Sequence, residues 1–537
     1  MMKKIRAAAL LLALSLLCGC SAEDFTWFTS RFQTEQTQTP SDEQNDSAPS
    51  QPAAPTAVPV TETLNELNHY GLSYQEQYGL DPYECEGLNN RVILSFVYEP
   101  LFAVSASCSL ENVLAEDWSV SDDGKTTTVR IRPGVLFHDG SELSAGDAVY
   151  SLEASRDSVY YGKRLYKVES MEALDEYTLV FTTSCAYECL PLLLDIPIVK
   201  APDGESGGEF PVGTGPYRFD GTERLLRWRD WWQSSPAFVE YDAIDLVPTT
   251  TTASVRDNFE YENVNLVLTD PNSSAYAGFR NDYELWEQPV PIMQYIGYNL
   301  TSKVFSNYGL RGAITYAIDR EGIATEQMGG FASAAVLPCL PQSVFYDSKL
   351  AAEYSYNMES FFQKLESASI SDIDNDNVLD LYVPSLGYSV PVSGTMIVCS
   401  SSLQRVQAAE RIVETLNGFG FDLHLKSMEN SEYQTALAEG AFDLYYGETR
   451  LSPNFDLTHF FGASGGLNFG ELADSTMYNL CEMALVNSGN TYNLYKRVCE
   501  RGYLTPVLFK SYAVYTTRGS VSEPNSHIDW FLPYTGT

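Results

Sequence analysis

Leu114-Ala-Glu-Asp-Trp-Ser-Val-Ser-Asp-Asp-Gly124, Ile131-Arg-Pro-Gly-Val-Leu-Phe-His-Asp-Gly140 and Asp147-Ala-Val-Tyr-Ser151 follow one another in the first third of the chain. Between the first two, Thr126–Arg132 (TTTVRIR) alternates in the manner of a half-buried strand. Phe137-His-Asp-Gly140 reads as a tight turn whose imidazole caps backbone; no nucleophile is patterned beside His138 to make it catalytic. Ser144-Ala-Gly-Asp147 is a capping box that opens a short helix through Val149 and Leu152. Working outward, Tyr177–Thr182 (YTLVFT) alternates as a second strand. Leu310, Ala313, Ile314, Ala317 and Ile318 share one helical face, and so do Val406, Ala409, Val413 and Leu416, with Gly418 and Gly420 placed to stop that helix. Phe421, Leu423 and Leu425 then alternate as a strand. Strands and helices mix without a sustained short repeat, so the chain is α/β and neither a solenoid nor a propeller.

The 537 residues allow two to four domains at about 100–200 residues each. Apolar residues at 44% and charged ones at 19% suffice to bury cores, which excludes global disorder. Acidic residues outnumber basic ones 71 to 33, for a formal charge of −38. Affinity for phosphate backbones or anionic lipid comes from clustered Lys and Arg, so nucleic-acid binding is excluded.

Met1–Arg6 is basic, and Ala7–Leu17 is an apolar run too short to span a bilayer but suited to a secretory signal. It ends in Leu17-Cys18-Gly19-Cys20, which looks like a bacterial lipobox with Cys20 as the acyl acceptor. Residues 1–19 are then expected to be removed, leaving Cys20 as a lipid anchor on the extracellular face of the membrane. Gln33–Val60 is polar, holds Pro40, Pro49, Pro52, Pro55 and Pro59, and lacks aromatics, so residues 20–60 read as anchor and disordered tether. No later stretch is apolar enough to span a membrane. The eight other cysteines (Cys85, Cys108, Cys185, Cys189, Cys339, Cys399, Cys481 and Cys499) are scattered without zinc or redox spacing, so buried free thiols are expected.

Seven ordered pieces now carry a resemblance. They are the three quoted at the outset, with Leu80-Asp-Pro82, Val97-Tyr-Glu-Pro-Leu-Phe102, Pro211-Val-Gly-Thr-Gly-Pro-Tyr217 and Leu310-Arg-Gly-Ala-Ile-Thr-Tyr-Ala-Ile-Asp-Arg320. In this order they resemble the oligopeptide/dipeptide class (family 5) of extracellular solute-binding proteins of ABC importers, from about Thr61 to near the C-terminus. The resemblance implies a bilobal, periplasmic-binding-protein-like type II fold with an extra subdomain in the first lobe. The implied division is lobe I over 61–290 (subdomain about 100–195), lobe II over 291–500, and a return to lobe I over 501–537. It also implies a monomer that takes a small solute, most often a peptide, and hands it to permease subunits, with no cofactor, no bound metal and no bond chemistry.

Ligand-binding residues are implied by position. Where an extended ligand pairs with protein strands, one edge falls at Glu86, Gly87 and Leu88, a hinge-side strand end at Thr269 and Asp270, and a second-lobe loop at Tyr446, Gly447, Glu448 and Arg450. Bland readings stand beside these: Asp270 as a cap before Pro271, Glu448 and Arg450 as a surface ion pair. One departure matters. Oligopeptide binders follow that loop with a Trp-containing, Asp-rich stretch whose aspartate holds the peptide's amine. Here the stretch is Leu451-Ser-Pro-Asn-Phe-Asp456, the expected position reads Ser452 or Asn454, and Asp456 takes that part only if the loop shifts. The aromatic content would also suit an oligosaccharide or another non-peptide solute.

Two other motifs compete. Asp372, Asp374, Asp376 and Asp380 have calcium-loop spacing, but Asn377 and Val383 stand where Gly and Glu belong, so a solvated turn is favoured. Gly462-Ala-Ser464-Gly-Gly466 matches a hydrolase elbow in form, and a secreted serine hydrolase using Ser464 is the alternative. The residues around it read as loop, without the strand and helix an elbow needs.

Overall fold

Alternation places the strands Thr126–Ile131 and Thr178–Thr183 within a residue of where they form. The computed structural model describes residues 70–528 apart from 159, 203–209, 234–240, 274–277, 281 and 522–526. The expected signal peptide, Cys20 anchor and tether lie outside the described residues. The largest sheet has 11 strands. Its order runs Tyr217–Asp220, Arg224–Arg227, Ala243–Pro248, Gly71–Tyr74, Leu266–Thr269, Leu504–Thr517, Tyr283–Tyr298, Leu444–Arg450, Ser393–Cys399 and Asp422–Met428, with Ala332–Ala334 alongside Leu504–Thr517. A separate four-stranded antiparallel sheet holds Ala115–Val120, Thr126–Ile131, Thr178–Thr183 and Val168–Asp175. Its inward residues Val129, Ile131, Leu179 and Phe181 are fully buried, as the alternation requires.

Two large hydrophobic cores divide the chain. One gathers Ile93, Phe137, Leu152, Phe181, Ile244 and Leu266 with their neighbours. The other gathers Met293, Ile314, Ile397, Ala409, Phe460 and Val507. Each fully buried Leu or Ile contributes roughly 1.5–3 kcal/mol relative to exposure. The helix Tyr308–Ala317 starts at Asn307, whose side chain accepts from Leu310 N at 3.0 Å, and packs its predicted face into the second core. The helix Leu403–Gly418 does likewise through Ala408, Ala409, Ile412, Val413 and Leu416, and the chain leaves it through Gly420 at φ +92°.

Two long strands, Tyr283–Tyr298 and Leu504–Thr517, run from one core to the other. Val514 lies in the first core, with Trp286 packed against it; Met293, Leu508 and Phe509 lie in the second. Their antiparallel register slips between Pro289 and Met293 and again between Gln294 and Tyr295. Pro289 and Pro291 have no N–H for the ladder, so prolines in this inner strand force an interruption where it changes cores. Such an interruption is a natural place for bending.

The turn at Phe137–Gly140 forms, with Gly140 N donating to Phe137 O at 2.9 Å. The His138 imidazole caps backbone, as expected, on a neighbouring loop. Its Nε2 donates to Gly215 O at 2.9 Å, and its N–H to Gly213 O at 3.0 Å. Gly213 and Gly215 lie so close to the Phe96–Val97 backbone that a Cβ on Gly213 would come 2.1 Å from Val97 O. The loop thus packs on backbone. Of the eight described cysteines, seven are buried and Cys185 is half-buried.

Candidate functional site

The interrupted strand pair carries a buried charge cluster. Lys510, on the final strand, is 5% exposed, and its Nζ lies 2.5 Å from Asp270 Oδ2 and 3.6 Å from Glu448 Oε2. Asp270 follows the strand Leu266–Thr269, which pairs with the final strand at Thr269↔Ala513. Glu448 sits on Leu444–Arg450, opposite Gln294, whose Nε2 donates to Glu448 Oε2 at 2.8 Å. Arg405, from the helix Leu403–Gly418, approaches the other oxygen of Glu448 at 3.8 Å. Burial pushes the Glu448 carboxyl up, but Lys510 and Arg405 outweigh it and hold the group below its ordinary range. Burial likewise opposes the Lys510 ammonium, and Glu448 and Asp270 keep it above its usual value. Two cations and two anions close the account, which makes their burial tolerable.

The residues expected at the ligand fall into three places. Glu86, Gly87, Leu88, Thr269 and Asp270 line one cavity of about 220 Å³. Asp270 caps a turn, accepting from Asn272 N at 2.9 Å, and is at the same time bound to Lys510. Tyr446 and Gly447 are buried within the ladder. The Tyr446 hydroxyl donates to Gln294 Oε1 at 2.9 Å, so it orients the amide that holds Glu448. Arg450 points elsewhere: it donates to the Tyr512 hydroxyl at 3.1 Å and packs over Tyr160, its guanidinium carbon 5.1 Å from the ring centroid. The surface pairing of Glu448 with Arg450 therefore does not form; Lys510 and Arg405 take Glu448 instead.

A second cavity, of about 230 Å³, is walled on one side by Tyr160, Tyr166 and Tyr187 and on the other by Arg450, Ser452 and Asp456. A larger one of about 540 Å³ lies wholly among residues 81–212, so it does not join the two cores' segments. The smaller cavity does, and side chains tie its walls. The Tyr166 hydroxyl donates to Asp456 Oδ2 at 2.8 Å, Asn454 Nδ2 donates to the Tyr187 hydroxyl at 2.9 Å, and Lys167 Nζ meets Glu482 Oε1 at 2.6 Å. Asn454 is thus spent on Tyr187, and Ser452 on Asn454 at 2.7 Å. Phe455 adopts φ +52°, an unusual conformation for a non-glycine residue, and the next residue, Asp456, reaches the wall. The carboxylate that the sequence allowed only with a shifted loop is the one that lines the cavity.

Lys510, Arg405 and Gln294 were not among the expected site residues. Lys510 leaves a trace in the sequence, as a lone lysine inside Leu504–Thr517, an otherwise strand-like and largely apolar run. Gln294 and Arg405 leave none, since partners in separate elements are brought together only by the fold.

Ser464 is exposed in a turn after the four-residue helix Thr458–Phe461, with no strand before it and no helix until Ser475. That is not an elbow. The carboxylates of Asp372, Asp374 and Asp376 cluster on the surface. Asp372 already accepts from the backbone N–H of Asn375, Asp376 and Asn377, and Asp380 accepts from that of Ile373. This is the geometry of a self-satisfied turn. Among the described residues, no helix is long and apolar enough to cross a membrane.

Residues 109–467 match the family model for bacterial extracellular solute-binding proteins, family 5 (middle). Over 283 residues the chain is 29% identical to the glutathione-binding protein GsiB of Escherichia coli strain K12. That match takes in 50% of this chain and 55% of GsiB, so the chain spans about half the length of the curated relatives it matches. The fold is similar to a nickel ABC transporter structure from Bacillus halodurans at TM-score 0.69 and 20% identity, covering 88% of this chain and 99% of that one. It is also similar to the oligopeptide-binding protein AppA of Bacillus subtilis, solved with a nonapeptide, at TM-score 0.54 and 20% identity, with 82% and 92% covered. At such identities these two likenesses speak of fold alone: two lobes of the type II arrangement, as expected from the sequence.

Proposed function

This chain belongs to the bacterial extracellular solute-binding proteins of family 5, and from that membership we propose that it captures a short peptide between its two lobes and passes it unaltered to an ABC permease. It is a binding protein and not an enzyme. The observation that carries the reading is the cavity walled by segments of both cores, beside two strands whose pairing breaks where they pass between those cores. A solute held on both walls stabilises the closed arrangement over the open one by its differential affinity, and bending at the Pro289–Pro291 interruption gives the motion a pivot. We propose lobe I over 61–290 and lobe II over 291–500, with 501–537 returning to the first after Leu504, Val507, Leu508 and Phe509, which pack in the second core. Peptide is preferred because GsiB, matched at 29% identity, is named for glutathione.

The test is thermal unfolding against a panel of short peptides, sugars and nickel–histidine. A true solute at a hundredfold excess over its Kd raises stability by about 2.7 kcal/mol, and X-ray scattering then shows a more compact particle. Binding by a sugar alone would replace the peptide reading. Failure of every solute, with no compaction, would sink it.

The protein is further proposed to act as a monomer tethered to the extracellular face by lipid on Cys20, the tether keeping the lobes within reach of the permease. Cys20→Ala should move the folded protein from the membrane fraction to the soluble one. Persistence on the membrane would refute the anchor.

A further inference from the structure

The two walls of the 230 Å³ cavity are fixed separately and then joined to each other. Tyr166 and Lys167 stand between Leu165 and Val168, which pack in the first core. Val168 N donates to Leu165 O at 3.0 Å and Ser184 N to Lys167 O at 2.9 Å, so this turn is held from its own side. Opposite, Asp456 and Thr458 flank Leu457, which packs in the second core, and Thr458 N donates to Asp456 Oδ1 at 2.8 Å. The Tyr166 ring is 44% exposed, yet its hydroxyl donates across to Asp456 Oδ2 at 2.8 Å and lies 3.1 Å from Thr458 Oγ1. Lys167, only 5% exposed, reaches Glu482 on the helix Ser475–Val486 at 2.6 Å. Burial opposes the Lys167 ammonium, and Glu482 outweighs it and keeps the group above its usual value. On the same helix Met477 and Cys481 pack in the second core, while Leu485, one turn past Glu482, packs in the first. These contacts run directly from side chain to side chain, so they hold the walls together whether or not a solute lies between them.

We propose that Tyr166 and Lys167 are positioning residues for solute capture: with Asp456 and Glu482 they latch the two lobes, so that the free protein closes and reopens by itself and a solute stabilises a closed form that already exists. This rests on the two-lobe capture reading above and adds the contacts that set its closing equilibrium. The latch is reversible by its chemistry. A lysine so nearly buried is tolerated because a carboxylate faces it, and when the walls part both ions return to water. The Coulombic gain on closing is set against that desolvation, which leaves a small net hold. Both walls are already ordered, so little entropy is lost when they meet. A weak hold suits capture: a guest that adds a few contacts then dominates the population, whereas a strong hold would keep the solute out.

The experiment is small-angle X-ray scattering of the full chain with no solute added, for wild type, Tyr166→Phe, Lys167→Met, Lys167→Arg and the double variant Lys167→Met/Glu482→Met. Wild type should be chiefly compact. Tyr166→Phe keeps the ring at a half-exposed position and loses one hydrogen bond, which should raise the open-to-closed ratio roughly three- to tenfold. Lys167→Met should raise it about tenfold or more, because Glu482 then meets burial alone in the closed form and water in the open one. Lys167→Arg should keep the wild-type curve, and the double variant should return towards it. Urea unfolding of the same variants is the control, since residues that only support the first core would lower the midpoint and leave the scattering unchanged. If Lys167→Met does not fold, Tyr166→Phe carries the test. Variant curves that all superimpose on wild type overturn the latch, and so does a wild type as extended as Lys167→Met; solute capture stands in both cases, being judged by compaction on adding solute. Opened variants that no peptide recompacts overturn capture and leave the latch.

Discussion

Lys510→Met is expected to lower the unfolding free energy by about 3 kcal/mol, measured by urea denaturation at neutral pH. The methionine keeps most of the buried stem, so the loss reports charge and not volume. Removing one member of a buried ion cluster leaves its partners uncompensated, which costs roughly 3–5 kcal/mol. The lower end applies here because Glu448 keeps Arg405 and Gln294, and Asp270 keeps the N–H of Asn272. Neutralising Asp270 as well, with Asp270→Asn, should restore most of the loss, since Glu448 then still faces Arg405 and the remaining charges balance. The dependence on pH has a fixed sign. Glu448 is held below its ordinary value, so its contribution is complete above the usual carboxylate range and is lost as pH falls through the depressed folded value. The gap between wild type and Lys510→Met should therefore close in acid. A loss under about 1 kcal/mol, or a gap that widens on acidification, would mean that the cluster does not hold these strands together.

The same cluster marks where the sequence could be read and where it could not. Periodicity exposed the helices Tyr308–Ala317 and Leu403–Gly418 and the strands Thr126–Ile131 and Thr178–Thr183, because local pattern and burial agree there. Ordered family motifs gave the two-lobed arrangement. Neither device reports which strand lies beside which in a sheet whose neighbours are far apart in the chain. The meeting of Lys510 with Asp270 and Glu448 depends on the order Leu266–Thr269, Leu504–Thr517, Tyr283–Tyr298, Leu444–Arg450, which no local signal encodes. The pairing of Glu448 with Arg450 was a local guess of the same kind, and nonlocal partners displaced it. Asp456 shows the opposite failure. Its chemistry was noted, but it lines the cavity next to Phe455, whose positive φ its side chain does not advertise.

Two buried titrating groups clamp one loop, and they should give opposite pH profiles when separated. Glu99 is fully buried and accepts from Thr214 Oγ1 at 2.9 Å and from the indole N–H groups of Trp231 and Trp232 at 3.2 and 3.0 Å. Burial nonetheless lifts its carboxyl to about 7, against those three donors. Burial pushes His138 down to about 4, although its bond to Gly215 O favours the charged ring. Both grip the Gly213–Pro216 loop. Between about pH 4.5 and 6.5 the unfolded chain protonates its histidine while the folded one does not, so His138 makes stability fall on acidification. Over nearly the same range the folded chain keeps a proton on Glu99 that the unfolded chain has lost, so Glu99 makes stability rise on acidification. At 1.36 kcal/mol per pKa unit each effect reaches at most about 3 kcal/mol, and in the wild type they nearly cancel. Glu99→Gln should unmask the histidine: relative to wild type, its stability should drop by up to about 3 kcal/mol between pH 7 and pH 4. His138→Gln, which can still donate to Gly215 O, should gain stability over that interval by a similar amount. Urea titrations at several pH values read both slopes against the wild type, where other titrating groups subtract out. Variant profiles parallel to the wild type would mean that neither group is held away from its ordinary ionisation. Opposite slopes would mean that this loop is clamped by a neutral acid and a neutral base, which keeps the first lobe's packing insensitive to pH across the range that bacteria meet outside the membrane.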